Sequence, residues 1–265
     1  MAKPLQPQIS KRPIWSGRIT IGLVNVPVKL YAMIFDKSIA FRFLHKQDGQ
    51  PLKYERVCTR EDKVVPWEDT VRGYEVAKNQ FVIFEKEELK AARPDSDQRI
   101  RVDKFVDFLS VDPIYLDKSY VLSPDKSEDA YSLLLSALRG MGKAGVGRIT
   151  LRTKEYPVLV HAYKGALVMT TLHYAYEVAD PTSIEELKEL KEPGKEQMLL
   201  AERIISDLSG EFDITEYKDT FKEKVEDLIA KKLKGETIII QKPMKEEAKE
   251  LMVALQETLK QLKEK

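Results

Sequence analysis

Between Ile14 and Tyr31 the apolar positions keep a strand rhythm whose phase slips once. Ile19, Ile21 and Leu23 fall on odd numbers, then Val24, Val26, Val28 and Leu30 on even ones. A period of two with one inversion predicts a strand bent by a bulge near Gly22 and Leu23, Gly22 and Pro27 standing where its ladder is interrupted. Phe41 and Phe43 alternate ahead of QDGQ (Gln47 to Gln50), and Leu52, Tyr54 and Arg56 open a return strand, so a hairpin with Asp48-Gly49 at its tip is expected. Short strands are predicted over Phe81 to Phe84, Ile100 to Val106 and Ile114 to Leu122, each bounded by acidic or Pro-containing loops. A helix follows, with Ser127 as cap, Tyr131, Leu134, Leu135 and Leu138 as its buried stripe, and Gly140 or Gly142 as its stop. After the glycine-rich link GMGKAGVG, the segments GRITLRTK, PVLVHAYKG and ALVMTTLHY predict three strands of a meander, with Lys164-Gly165 turning between the last two. Many short strands at hairpin spacing imply a barrel rather than a doubly wound sheet.

From Ser183 the spacing becomes helical. Leu187 and Leu190, then Met198, Ala201, Ile204, Ile205 and Leu208, then Tyr217, Phe221, Val225, Leu228 and Ile229 mark three amphipathic helices, separated by EPGK and SGEFD. A short apolar segment, Thr237 to Ile240, precedes Pro243, and a final helix over Glu246 to Lys263 carries a narrow stripe of Leu251, Leu255, Leu259 and Leu262. The pattern divides the chain into an α+β core over 1–182, a helical arm over 183–242 and a terminal helix over 243–265. A narrow stripe beyond an extended linker seeks a partner or packs back on its own chain.

Charge changes this picture more than composition does. The net charge is only +1, but residues 1–60 carry eleven Lys and Arg against three Asp and Glu, and residues 61–130 carry eleven against seventeen. Residues 131–175 then carry six against one, and residues 176–265 sixteen against twenty-two. Such alternation suits a basic inner surface with an acidic outside, or charges scattered over a solvated exterior. No apolar run approaches the roughly 20 residues that span a bilayer, and the start MAKPLQPQISKRP lacks a secretory apolar core, so a cytoplasmic location is expected. The single cysteine, Cys58, and three scattered histidines, His45, His161 and His173, make a disulfide or a structural metal unexpected. GMGKAGVG is not a phosphate loop, GxSxG and HExxH are absent, and no cofactor is expected.

The stretch RPIWSGRITIGLVNVPVKLYAMIFDKSIAFRFLHKQDGQPLKYERVC resembles the amino-terminal part of the prokaryotic Ku family, the DNA-end-binding proteins of non-homologous end joining. GYEVAKNQFVIFEKEELKAARP and VDPIYLDKSYVLSPDKSEDAYSLL resemble its middle, and TEYKDTFKEKVEDLIAKKLKGE its helical arm, in the family's order over most of residues 12–240. The segment after Pro243 has no long Lys/Ala/Pro-rich extension, so DNA contact through a basic tail is not expected.

The resemblance implies a β-barrel with a strand-rich bridge and a helical arm, two copies interlocking into a ring around duplex DNA. Enclosure would give phosphate contacts without base reading, and a closed ring needs a free end for loading. The expected ring-lining cations are Arg18, Lys29, Lys37, Arg42, Lys46, Lys53, Arg56 and Arg60, with Arg148 and Arg152 beside them. Tyr217, Phe221, Val225, Leu228 and Ile229 are expected at the dimer interface, and Leu251, Met252, Leu255 and Leu259 on the helix that recruits the ATP-dependent DNA ligase D. The expected protein is therefore a nucleoid-associated, non-enzymatic homodimer that binds double-stranded DNA ends. An abasic-site lyase using a lysine, and a barrel scaffold binding other proteins, are the alternatives.

Overall fold

The computed structural model describes residues 8–92, 97–235 and 251–263. Its backbone divides into two units, one of Met1–Lys37 with Phe41–Ala179 and one of Ser38–Ala40 with Asp180–Lys265. The first unit holds β1 (Trp15–Ile21), β2 (Val24–Ala32), β3 (Arg72–Ala77), β4 (Gln80–Phe84), α1 (Lys86–Ala91), β5 (Arg99–Asp107), β6 (Leu116–Pro124), α2 (Glu128–Met141), β7 (Lys143–Leu151), β8 (Lys154–Tyr163) and β9 (Ala166–Leu172). Seven strands close into a barrel in the order β1-β2-β6-β9-β8-β7-β5, while β3 and β4 form a separate ribbon. The fold is α+β, with a barrel in the place the short strands predicted.

The phase slip has a different cause from the expected bulge. Residues 15–32 are two strands joined by a two-residue turn, with Ile21 opposite Val24 and Ile19 opposite Val26. Partners across such a turn pair an odd number with an even one, so the buried parity must invert. Gly22 sits at φ +56° at the first turn position, which two-residue hairpins give to glycine. Leu23, at the tip, is almost wholly exposed.

GMGKAGVG is likewise not a link beyond its first residues, because β7 already runs from Lys143. Two of its glycines, Gly145 and Gly147, serve a close approach. β5 shifts register between Val102 and Lys104, and a Cβ on Gly147 would lie 1.7 Å from the Arg101 carbonyl oxygen. At the barrel's seam Gly17 has the same role: a Cβ there would stand 2.2 Å from the carbonyl oxygen of Gln98, which accepts the Arg18 N–H. That seam is the parallel pairing of β1 with β5 through Arg18–Arg99, Ile19–Ile100 and Thr20–Arg101.

Inside the barrel Ile19, Val28, Leu30, Ile100, Leu122, Val158, Leu167 and Met169 are fully buried or nearly so. Each such side chain contributes about 1.5–3 kcal/mol. One end is plugged by α2, whose Tyr131 and Leu138 join the core. The Tyr131 hydroxyl donates to the Leu122 carbonyl at 2.6 Å and accepts the Leu167 N–H at 2.8 Å, tying the helix to two strands. Ser127 does not cap the helix through its side chain; its hydroxyl donates to the Pro27 carbonyl at 2.6 Å, and Gly142 at φ +61° ends the helix.

In the second unit lie α3 (Glu185–Lys188), α4 (Lys195–Leu208), α5 (Thr220–Leu233) and α6 (Leu251–Lys263). The first expected helix shrinks to the single turn of α3, with Leu187 and Leu190 exposed, because EPGK interrupts the chain so soon after it. Asp219 caps α5 by accepting the Lys222 N–H at 2.9 Å. α6 packs against α4. The apolar segment Thr237 to Ile240 and the expected helix start at Glu246 lie outside the described residues.

Candidate nucleic-acid interface

The basic amino-terminal block falls mostly on an excursion from the barrel. After β2 the chain runs through residues 33–71 with two isolated bridges, Leu44–Pro51 and Val57–Val64, in place of regular strands. The expected hairpin at QDGQ exists only as that first bridge, with the His45 N–H donating to the Gln50 carbonyl at 2.8 Å and Gly49 at φ +70°. Local turns of this kind hold the backbone but bury little. Phe41, Phe43, Tyr54 and Trp67 are all more than 60% exposed, as are Val71, just before the β3–β4 ribbon, and Tyr74 within it.

Lys37, Arg42, Lys46, Lys53, Arg56 and Arg60 are exposed along this excursion, and none is ion-paired to a carboxylate among the described residues. Arg56 instead covers the Trp67 ring at 4.9 Å, an arrangement that fixes a guanidinium without neutralising it. On the barrel, Arg18 faces outward opposite the buried Ile19, and Arg152 stands at φ +59° in the β7–β8 turn. Two expected contacts differ in kind. Lys29 Nζ lies 2.7 Å from Asp125, and that hydrogen bond holds its ammonium pKa above the usual lysine value. Arg148 lies 3.2 Å from Asp103 and 3.9 Å from Glu155.

Two further arginines join this face. Strand register sets Arg99 beside Arg18 and Arg101 beside Arg148, and Asp97 reaches both Arg99 and Arg101. Burial alone would raise the Asp97 carboxyl, but the Arg101 hydrogen bond and charge, with the Arg99 backbone N–H, hold it below the ordinary range. The alternation Arg99-Ile100-Arg101-Val102 was the available signal for an outward basic edge.

The helical residues separate by burial. Val225 is buried within its own chain, whereas Tyr217, Phe221, Leu228 and Ile229 are exposed, Tyr217 preceding α5. On α6, Leu259 is buried and Met252 and Leu255 are half-buried; the Leu251 side chain lies outside the described ones. No group of three His, Cys, Asp or Glu among the described residues is arranged to hold a metal, and no described helix is long and apolar enough to cross a membrane.

Comparison with known proteins places this architecture. Residues 20–200 match the family model for the Ku70/Ku80 beta-barrel domain. The chain belongs to the Ku family. This Ku-family chain is 39% identical over 250 residues to the non-homologous end joining protein Ku of Anaeromyxobacter sp. (strain K), covering 94% of the chain and 83% of that protein. It is 32% identical to the Bacillus subtilis (strain 168) protein of the same name, over 95% of the chain and 82% of that protein. The corresponding Archaeoglobus fulgidus protein is 35% identical over 95% of the chain and its own full length. Among solved structures, the SPOC domain of human PHD-finger protein 3 shows a loose likeness, with 12% identity over 61% of the chain and 95% of that domain and a TM-score of 0.28.

Proposed function

We propose that this chain binds double-stranded DNA ends independently of sequence, as a ring-shaped homodimer, and recruits ligase D for double-strand break repair by non-homologous end joining. The observation that carries the reading is the row of exposed cations on an excursion from a closed barrel that have no carboxylate partner among the described residues. Cations already paired would release few counterions on meeting phosphate; unpaired ones contribute in full. The apolar surface around them supports a second copy. Phe41, Phe43, Tyr54 and Trp67 are exposed there, and clustered exposed apolar side chains mark an interaction surface. The exposed Tyr217, Phe221, Leu228 and Ile229 suit the dimer contact, and half-buried Met252 and Leu255 leave apolar surface for a ligase groove.

The test compares a blunt linear duplex with its covalently closed circle at matched length. Strong binding to the linear form alone is expected, and equal binding to both refutes threading. No observation favours the lyase reading. A Schiff base needs a neutral amine, whereas Lys29 donates to the Asp125 carboxylate, which holds its ammonium pKa above the usual lysine value.

A further inference from the structure

The barrel has two unlike ends. α2 plugs one; at the other, the starts of β1, β6 and β8 and the ends of β7 and β9 surround a pocket of about 370 Å³ lined by Trp15, Tyr120, Tyr156, Asp117 and Arg152 among others. Trp15, Tyr120 and Tyr156 pack on the core cluster, so the core is the pocket's floor. Three of the lining residues are thus aromatic, and the Lys154 ammonium lies 5.1 Å from the Tyr156 ring.

Polar groups at this mouth are arranged beyond what packing requires. The indole N–H of Trp15 is buried and has no hydrogen-bond partner among the described residues. A buried donor left this way is costly, and since the nitrogen has almost no accessible surface a ligand would meet it only after the Trp15 ring shifts. β6 shifts register between Leu116 and Ser119, which sets Asp117 at the pocket, where it accepts the Thr171 hydroxyl at 3.1 Å and keeps further lone pairs for a ligand. Arg152 holds a left-handed backbone conformation on the rim and has no carboxylate partner among the described residues. Burial, and then the Asp117 charge, push the Tyr120 hydroxyl up, so it stays a neutral donor.

We propose that this barrel mouth binds one unpaired nucleotide, its base held against Trp15, Tyr120 and Tyr156, its edge read by Asp117, and its phosphate met by Arg152. Aromatic platforms beside a cation are how single strands are held without duplex contacts, and a pocket this size admits a nucleotide but no helix. The natural source is the single-stranded overhang of a broken end, a role that rests on the end-binding reading; a free mononucleotide offers the same chemistry.

The experiment uses the full chain. Affinity is measured for a blunt duplex, the same duplex with a short 3′ or 5′ overhang, and the closed circle. Thymidine 5′-monophosphate is titrated against the Trp67→Phe variant, in which Trp15 is the only tryptophan. Overhang ends are expected to bind about fivefold to a hundredfold more tightly than blunt ends, with quenching of Trp15 fluorescence by the mononucleotide. Tyr156→Ala should remove the overhang preference while blunt-end affinity stays; Asp117→Asn, gentler on the fold, should reduce the preference and the quenching together. Equal affinity for blunt and overhang ends without quenching overturns the proposal, as does a preference unchanged in folded Tyr156→Ala and Asp117→Asn. Quenching without an overhang preference supports the nucleotide site and assigns it to free nucleotides. If circle and linear duplex bind equally while the overhang preference holds, threading fails and the mouth stands.

Discussion

Replacing Lys37, Arg42, Lys46 and Lys53 together by glutamine removes four exposed cations that have no carboxylate partner among the described residues. If each neutralises one phosphate, the slope of log K against log salt loses about 0.9 per residue, or about 3.6 per protomer and about 7 for a ring of two. The matched control replaces Lys29 and Arg148, which lie 2.7 Å from Asp125 and 3.2 Å from Asp103. These cations must leave a carboxylate before meeting a phosphate, so each should flatten the slope by well under 0.9. Fluorescence anisotropy of a labelled blunt duplex across a salt series gives both slopes, and thermal melting checks that the barrel is intact. The reasoning fails if the paired residues flatten the slope as much, residue for residue, as the unpaired ones, or if the quadruple variant keeps the original slope.

Three further outcomes follow from the packing. Phe221→Asp with Leu228→Asp should yield a monomer that has lost end binding, since both side chains are exposed in the single chain; an intact dimer in sedimentation would refute the interface. Truncation after Lys242 removes α6, leaving the barrel transition and end affinity unchanged while stimulation of ligation is lost; normal ligation with a large fall in melting temperature would make α6 a brace for α4 only. Tyr131→Phe deprives the Leu167 N–H and the Leu122 carbonyl of their shared partner, costing about 1–3 kcal/mol. At about 2–4 °C per kcal/mol for a domain of this size, calorimetry should show a clear drop, and an unchanged midpoint would mean that water replaces the hydroxyl.

Local patterning made much of the fold legible. The helix stripe Tyr131, Leu134, Leu135 and Leu138 and the Lys164-Gly165 turn are in the structure as the sequence suggests, because both depend on neighbours a few residues apart. The Ile19–Val26 phase slip was visible but ambiguous, since a bulge and a two-residue turn invert parity alike. Gly145 and Gly147 read as a linker because the strand that crowds them lies some 45 residues earlier. The cation row was legible as composition, but its division into paired and unpaired members was not: Asp125 is nearly a hundred residues from Lys29, and only the pairing of β2 with β6 sets them side by side. Trp15, Tyr120 and Tyr156 come from three strands and share no local spacing, so the mouth had no signature in one dimension.

The parallel seam between β1 and β5 has a kinetic consequence. Its three residue pairs join positions about eighty residues apart, whereas β1 and β2 zip seven pairs across a two-residue turn. The hairpins can form early and alone, but the cylinder must wait until the entire excursion has been synthesised and β5 has returned to Gly17. Closure entropy grows only slowly with the length of that excursion, so its length is tolerated at equilibrium and felt in the rate. A nascent chain therefore displays its basic, apolar excursion before its barrel is shut, and amide exchange in the finished protein should open first along Arg18 to Thr20, where the fewest pairs hold two distant parts of the chain together.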